Sequence, residues 1–166
     1  MHAVVVFESL WGNTEQLARE IAAGIGERTD VVDAASAPGE LDSDVDLLVV
    51  GGPTHAFSMT TRSTREAAQQ QGAYRIPSRG IREWIQALTS PRRAVPVATF
   101  DTRVVSPRLP GSAAKKAMKQ LVALGYRPVA KPETFGVHGY TGPVADGEPE
   151  RARAWGAELV TRLPRL

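Results

Sequence analysis

An apolar run that stops at a polar, glycine-containing corner sets the frame for this chain. Val4-Val5-Val6-Phe7 is followed at once by Glu8-Ser9-Leu10-Trp11-Gly12-Asn13-Thr14. Three β-branched residues and a Phe read as a short strand buried on both faces. A helix begins at about Asn13. The chain therefore passes from a strand through a tight loop into a helix N-terminus. The first N–H groups of a helix have no intrahelical partner and carry partial positive charge. Ser9, Asn13 and Thr14 add side-chain donors at the same place, making a cradle for a phosphate or another small anion. The same residues also read as a plain strand–loop–helix corner, with Asn13 as N-cap and Gln16 three positions on.

The rest of the chain alternates strands with helices. A first helix over 14–25 places Leu17, Ile21 and Ile25 on one face, with Ala18 and Ala22 beside them and Gly24 and Gly26 as a stop. Val31-Val32 makes a second strand, and 34–44 reads as turn. Asp46 to Val50 is a third strand, ending on Gly51-Gly52-Pro53-Thr54-His55-Ala56-Phe57. Residues 63–71 are open to helix, and 72–78 read as loop. Ile81, Trp84, Ile85 and Leu88 give a helical stripe over 79–88. Val95 to Phe100 is a fourth strand, with pairing starting at or after Pro96, which has no N–H to give. A long loop over 101–110 precedes a helix capped by Ser112, lined by Ala114, Met118, Leu121 and Val122 and stopped by Gly125. Residues 128–137, interrupted by Pro132, read as an edge strand, and 138–147 as a loop. The last helix runs over 149–163, with Ala152, Trp155, Leu159 and Leu163 facing inward. Such alternation predicts an α/β chain with a five-stranded parallel sheet covered on both faces, doubly wound in three layers. Residues 1–166 are expected to form one domain.

The pattern Val5-Val6-Phe7-x-Ser9-x-x-Gly12-x-Thr14-x-x-x-Ala18-x-x-Ile21 resembles the signature of the flavodoxin family, and every defined position is filled. The resemblance implies a strand order 2-1-3-4-5, the short-chain flavodoxin form, and a loop that holds the phosphate of flavin mononucleotide (FMN). In open parallel sheets the crevice lies at the carboxyl ends of the strands, at the switch point. On that reading the phosphate meets Ser9, Leu10, Trp11, Gly12, Asn13 and Thr14. Pro53, Thr54, His55, Ala56 and Phe57 cover one face of the flavin ring, with Phe57 or His55 where the family often has Trp. Thr99, Phe100, Asp101, Thr102 and Arg103 approach the pyrimidine side and the other face. The stacking Tyr usual at the fourth loop is missing. Ala56 and Phe57 also stand where Gly is frequent, and resist φ > 0. A flip of that peptide is then disfavoured, and a weakly stabilised one-electron-reduced flavin is expected. Bland roles stay open: Phe57 as core, Asp101 as a turn residue, and Trp11 as packing on its loop.

Composition narrows the function. With no Cys, disulfides and thiolate chemistry are excluded, so redox work would need a bound cofactor. His2, His55 and His138 lack metal-ligand spacing, so no metal and no catalytic residue is expected. No GxxxxGK or GxSxG motif is present, and Gly24-x-Gly26 does not follow a strand. Twenty basic and 18 acidic residues leave a net charge of +2, unlike the acidic chains usual for flavodoxins. Lys115, Lys116 and Lys119, beside Arg108, read as a solvated helix face, and no nucleic-acid partner is expected. No apolar run approaches the ~20 residues of a membrane span, and no leader pattern precedes the first strand, so a cytoplasmic location is expected. The reading is an FMN-binding electron carrier working between a flavin- or ferredoxin-type reductase and an acceptor. The alternatives are an FMN-dependent NAD(P)H:quinone-type reductase, or a regulatory module that keeps the fold without flavin.

Overall fold

A computed structural model describes residues 1–26 and 28–165. The elements run β1 (Ala3–Phe7), α1 (Asn13–Ile25), β2 (Thr29–Asp33), β3 (Leu47–Pro53), α2 (Arg62–Gln70), α3 (Ile81–Ala87), β4 (Pro96–Val104), α4 (Ala113–Leu124), β5 (Arg127–Pro128), β6 (Glu133–Val137) and α5 (Glu148–Thr161). All strand pairs are parallel, in the order β2-β1-β3-β4-β5, with β6 also on β4. The expected order is therefore present. The expected fifth strand is two pieces on the same edge: β5 pairs with Pro96 and Val97, and β6 with Phe100 to Val104. Pro132 lies in the gap between them.

The strands are apolar without alternation because both faces are covered. Val4, Val6, Leu48, Val50 and Val97 face one core with Trp84 and Ile85 of α3 and Ala117 and Leu121 of α4. Val5, Phe7, Leu47, Val49 and Phe100 face the other with Leu17 and Ile21 of α1 and Trp155 and Leu159 of α5. Two helix faces differ from expectation. Val122 of α4 is exposed, and Ala117 fills its place in the core. Gly24 serves packing: a Cβ there would lie 1.9 Å from the Arg153 carbonyl, so α1 and α5 cross backbone to backbone. Gly26, at φ 106°, is the actual C-cap of α1.

The largest difference is the length of β4. It continues four residues past Phe100, so 101–104 is strand and the loop begins at Val105. Pro96 causes no conflict, because it is the first residue of the strand. The extension exists because β6 supplies a partner for every added residue. Among the described residues no helix is long and apolar enough to cross a membrane.

Candidate functional site

The crevice is built where β1, β3 and β4 end together. At β1, Gly12 turns at φ 89° and is itself the N-cap of α1, with no side chain capping the helix. Asn13 is the first helical residue, so the Asn13–Gln16 capping pair is absent. Ser9 shapes the turn, its hydroxyl accepting from the Gly12 N–H at 3.1 Å. Thr14 is buried, with Oγ1 2.9 Å from Thr102 Oγ1, which ties the helix tip to β4. The first turn thus presents uncapped N–H groups to the crevice.

A buried network sets the floor beneath this loop. Glu8 is fully buried. Its carboxylate accepts from Thr60 Oγ1 at 2.5 Å and from the Ile81 N–H at 2.9 Å. Arg65 donates to Thr60 Oγ1 at 2.9 Å and pairs with Glu83 at 2.6 Å. Burial pushes the Glu8 carboxyl above its usual range, against these donors and the Arg65 charge. The end of β1, the 60-loop and the start of α3 are therefore locked together. The sequence carried one sign of this, a carboxylate at the end of an apolar strand.

The second wall is a two-residue hairpin. The His55 N–H donates to the Ser58 carbonyl at 2.9 Å, and the Ser58 N–H to the His55 carbonyl at 3.0 Å. Ala56 and Phe57 between them lie at φ 47° and 69°. Both central residues of a type I′ turn need positive φ, a conformation usually given to Asn-Gly. The expectation that Ala56 and Phe57 avoid φ > 0 is therefore corrected: the tip already holds it, because the paired flanks impose it. Arg82 secures the base, donating to the Met59 carbonyl at 2.7 Å and the Thr60 carbonyl at 3.0 Å. Burial pushes the His55 imidazole down to about 4, so it is neutral near pH 7.

The structure brings Ser9, Leu10, Trp11, Asn13, Thr14, Pro53, Thr54 and His55 around a small polar hollow. This opens, through Thr54, His55, Val104, Gly139 and Tyr140, into an apolar cavity of about 450 Å³. Ala56, Phe57 and Arg103 line the cavity, as do Thr64, Ala67 and Ala68 of α2 and Ser106, Pro107, Leu109 and Pro110. Three residues singled out from the sequence lie elsewhere. Thr99 is buried, its hydroxyl donating to the Ala114 carbonyl at 2.9 Å. Phe100 packs edge-on against Phe135 and Trp155 in the core. Asp101 is buried under α4, accepting from Ser112 Oγ at 2.5 Å and the Ala114 N–H at 3.0 Å, so it caps a helix. The reason is the added length of β4, which moves all three below the crevice.

Thr102, also expected from the sequence, does line the hollow from β4, joined by Val104 and, from the end of β6 and the loop after it, Val137, Gly139 and Tyr140. Tyr140 is 62% exposed, with its ring 6.3 Å from that of Trp11. An aromatic thus borders the crevice, from the loop after β6 and not the loop after β4. Trp11 Nε1 is buried without an acceptor. An orphaned donor beside a nest of N–H groups suits an anionic or oxygen-rich ligand. Among the described residues no group of His, Cys, Asp or Glu is placed to hold a metal ion.

Neither a protein-family model nor a curated protein sequence matches the chain. Solved structures do. Oxidised flavodoxin 1 from Bacillus cereus superposes with a TM-score of 0.72 at 20% identity, over 99% of this chain and 100% of that one. The flavodoxin of Streptococcus pneumoniae TIGR4 gives 0.68 at 16% identity, over 98% and 100%. A diflavin flavoprotein A3 from Nostoc gives 0.53 at 18%, over 96% and 92%. With the sheet order, the layers and the crevice at the switch point, these likenesses show that the chain has the flavodoxin fold.

Proposed function

We propose that the chain binds FMN noncovalently and serves as an electron-transfer protein between a reductase and an acceptor. The observation that carries this reading is one continuous crevice, polar with uncapped helix N–H groups at one end and apolar at the other. A phosphate tail and a planar ring require those two environments in that order. Residues 9–14 would hold the phosphate, largely through backbone N–H groups. Thr54, His55 and the hairpin tip would cover one side of the ring, with Val104 and Tyr140 near its edge. The bound flavin would supply the redox chemistry. His55, neutral near pH 7, would add no positive charge beside it.

Titration of the purified protein with FMN and with riboflavin tests this. A yellow complex is expected, with Trp11 fluorescence quenched and FMN bound at least about tenfold more tightly than riboflavin, as fits a charge-assisted phosphate contact. A colourless protein with no quenching would refute the reading. Thr14→Glu places a carboxylate in the nest and removes the Thr102 contact. It is expected to abolish FMN uptake while the far-UV spectrum is kept. Mixing the loaded protein with NAD(P)H and a quinone distinguishes a self-contained reductase; no turnover without a partner protein is expected.

A further inference from the structure

The charge of this molecule is unevenly placed. Between Thr102 and Pro132 the chain has no Asp or Glu, yet it carries Arg103, Arg108, Lys115, Lys116, Lys119, Arg127 and Lys131. Removing these seven from the 20 basic residues leaves 13 against all 18 acidic ones, a net of −5 for the remainder. Ten of those 13 form ion pairs. Among the described residues none of the seven does. Arg103 donates to the Leu109 carbonyl, and Arg108 and the three α4 lysines stand exposed.

Arg103 lines the cavity and Arg108 stands in the 106–110 loop that also lines it, whereas Arg127 pairs with Pro96 at the opposite end of the sheet and takes no part in this face. The N-terminus of α4 is joined to the β3 end by the Ala113 N–H donating to Thr54 Oγ1 at 3.1 Å. Lys115 and Lys116 therefore sit, exposed, in the first turns of α4, at the helix end that adjoins the crevice. Cations there oppose the helix dipole and weaken the helix. The buried Asp101 and Ser112 already satisfy the helix end. The lysines thus answer no need of the fold. Phe57, Leu109 and Tyr140, which line the cavity, are 52%, 55% and 62% exposed, forming an apolar rim to the crevice mouth. An apolar centre bordered by charge is the anatomy of a protein interface.

We propose that this face docks a partner protein with an acidic surface, the crevice mouth lying inside the interface. The inference rests on the crevice being the FMN site. Complementary charge of this kind governs encounter rate and partner choice. The polarity is the reverse of an acidic carrier meeting a basic partner.

The test uses the FMN-titrated protein and a Lys115→Glu/Lys116→Glu/Lys119→Glu variant. Binding of an acidic two-iron ferredoxin is measured by calorimetry, with basic cytochrome c, duplex DNA and anionic phosphatidylglycerol vesicles as competing probes. The wild type is expected to prefer ferredoxin, to weaken about tenfold between low and ~0.3 M salt, and to lose at least about tenfold in the variant. FMN affinity should not change, and the melting temperature should not fall, since Glu in the first turns of α4 suits the helix dipole. If the reversed variant does not fold, the three Lys→Gln changes replace it, with a smaller loss in the same direction. Equal affinity for ferredoxin and cytochrome c, an unaffected variant, or tighter binding of DNA or vesicles would each overturn the proposal. Ferredoxin binding without FMN uptake would refute the cofactor reading alone. FMN uptake without charge preference would refute the docking alone.

Discussion

At the scale of single residues, the hairpin tip at Ala56-Phe57 shows how local preference yields to context. Left-handed backbone costs an L-residue roughly 1–2 kcal/mol. The paired flanks at His55 and Ser58 and the Arg82 clamp below outweigh it. Strain of this kind gathers where a site needs a fixed shape. Ala56 is exposed, so its methyl group contributes little packing. Ala56→Gly relieves the strain, partly offset by the greater freedom of Gly when unfolded. The variant is expected to gain about 0.5 kcal/mol, seen as a small rise in melting temperature. A fall would mean that the tip is not strained.

Among elements, the tightest contact is the crossing of α1 and α5. Gly24 meets the Arg153 carbonyl, and Gly156 meets the Ile21 carbonyl, where an added Cβ would lie at 2.2 Å. Each helix removes a side chain where the other's backbone passes. In an isolated helix Gly→Ala helps by about 1 kcal/mol. Here Gly156→Ala forces backbone apart, and a net loss of about 2 kcal/mol is expected in denaturant unfolding. Stabilisation would show that the helices separate at little cost. In the sequence, Gly24 reads as a helix stop, because its partner lies more than a hundred residues away.

For the whole molecule, the end of the sheet opposite the crevice is tied by His2. Its Nε2 lies 2.8 Å from Asp30 and its Nδ1 3.0 Å from Asp44, joining β1 to β2 and to the approach to β3. The Asp30 bond, then the Asp44 bond, raise the imidazole above its ordinary range, against desolvation. Its stabilisation is therefore fully present below the unfolded pKa of about 6.5 and is lost as pH rises through the higher folded value. His55 acts in the opposite sense. Held down to about 4 by burial, it favours the neutral form, and stability falls as pH drops from about 6.5 toward 4. His2→Gln is expected to lower the melting temperature most near pH 5 to 6 and least near pH 9. A constant difference across that range would show that His2 is not charged in the fold.

What the residues determined alone is what lies within a few positions: the buried strands, the apolar stripes of α1, α3 and α5, and a helix start next to Gly12. These follow from periodicity and from backbone groups that need partners, both local. The tertiary structure decided where strands end and which side chains reach the crevice. β4 runs on past Phe100 because β3 pairs with it as far as Thr102 and β6 as far as Val104. The longer strand leaves Thr99, Phe100 and Asp101 in the interior and brings Thr102 and Val104 to the site. Tyr140 enters from a loop whose neighbours are set by the same pairing. A strand's length depends on a partner distant in sequence, so no local pattern contains it.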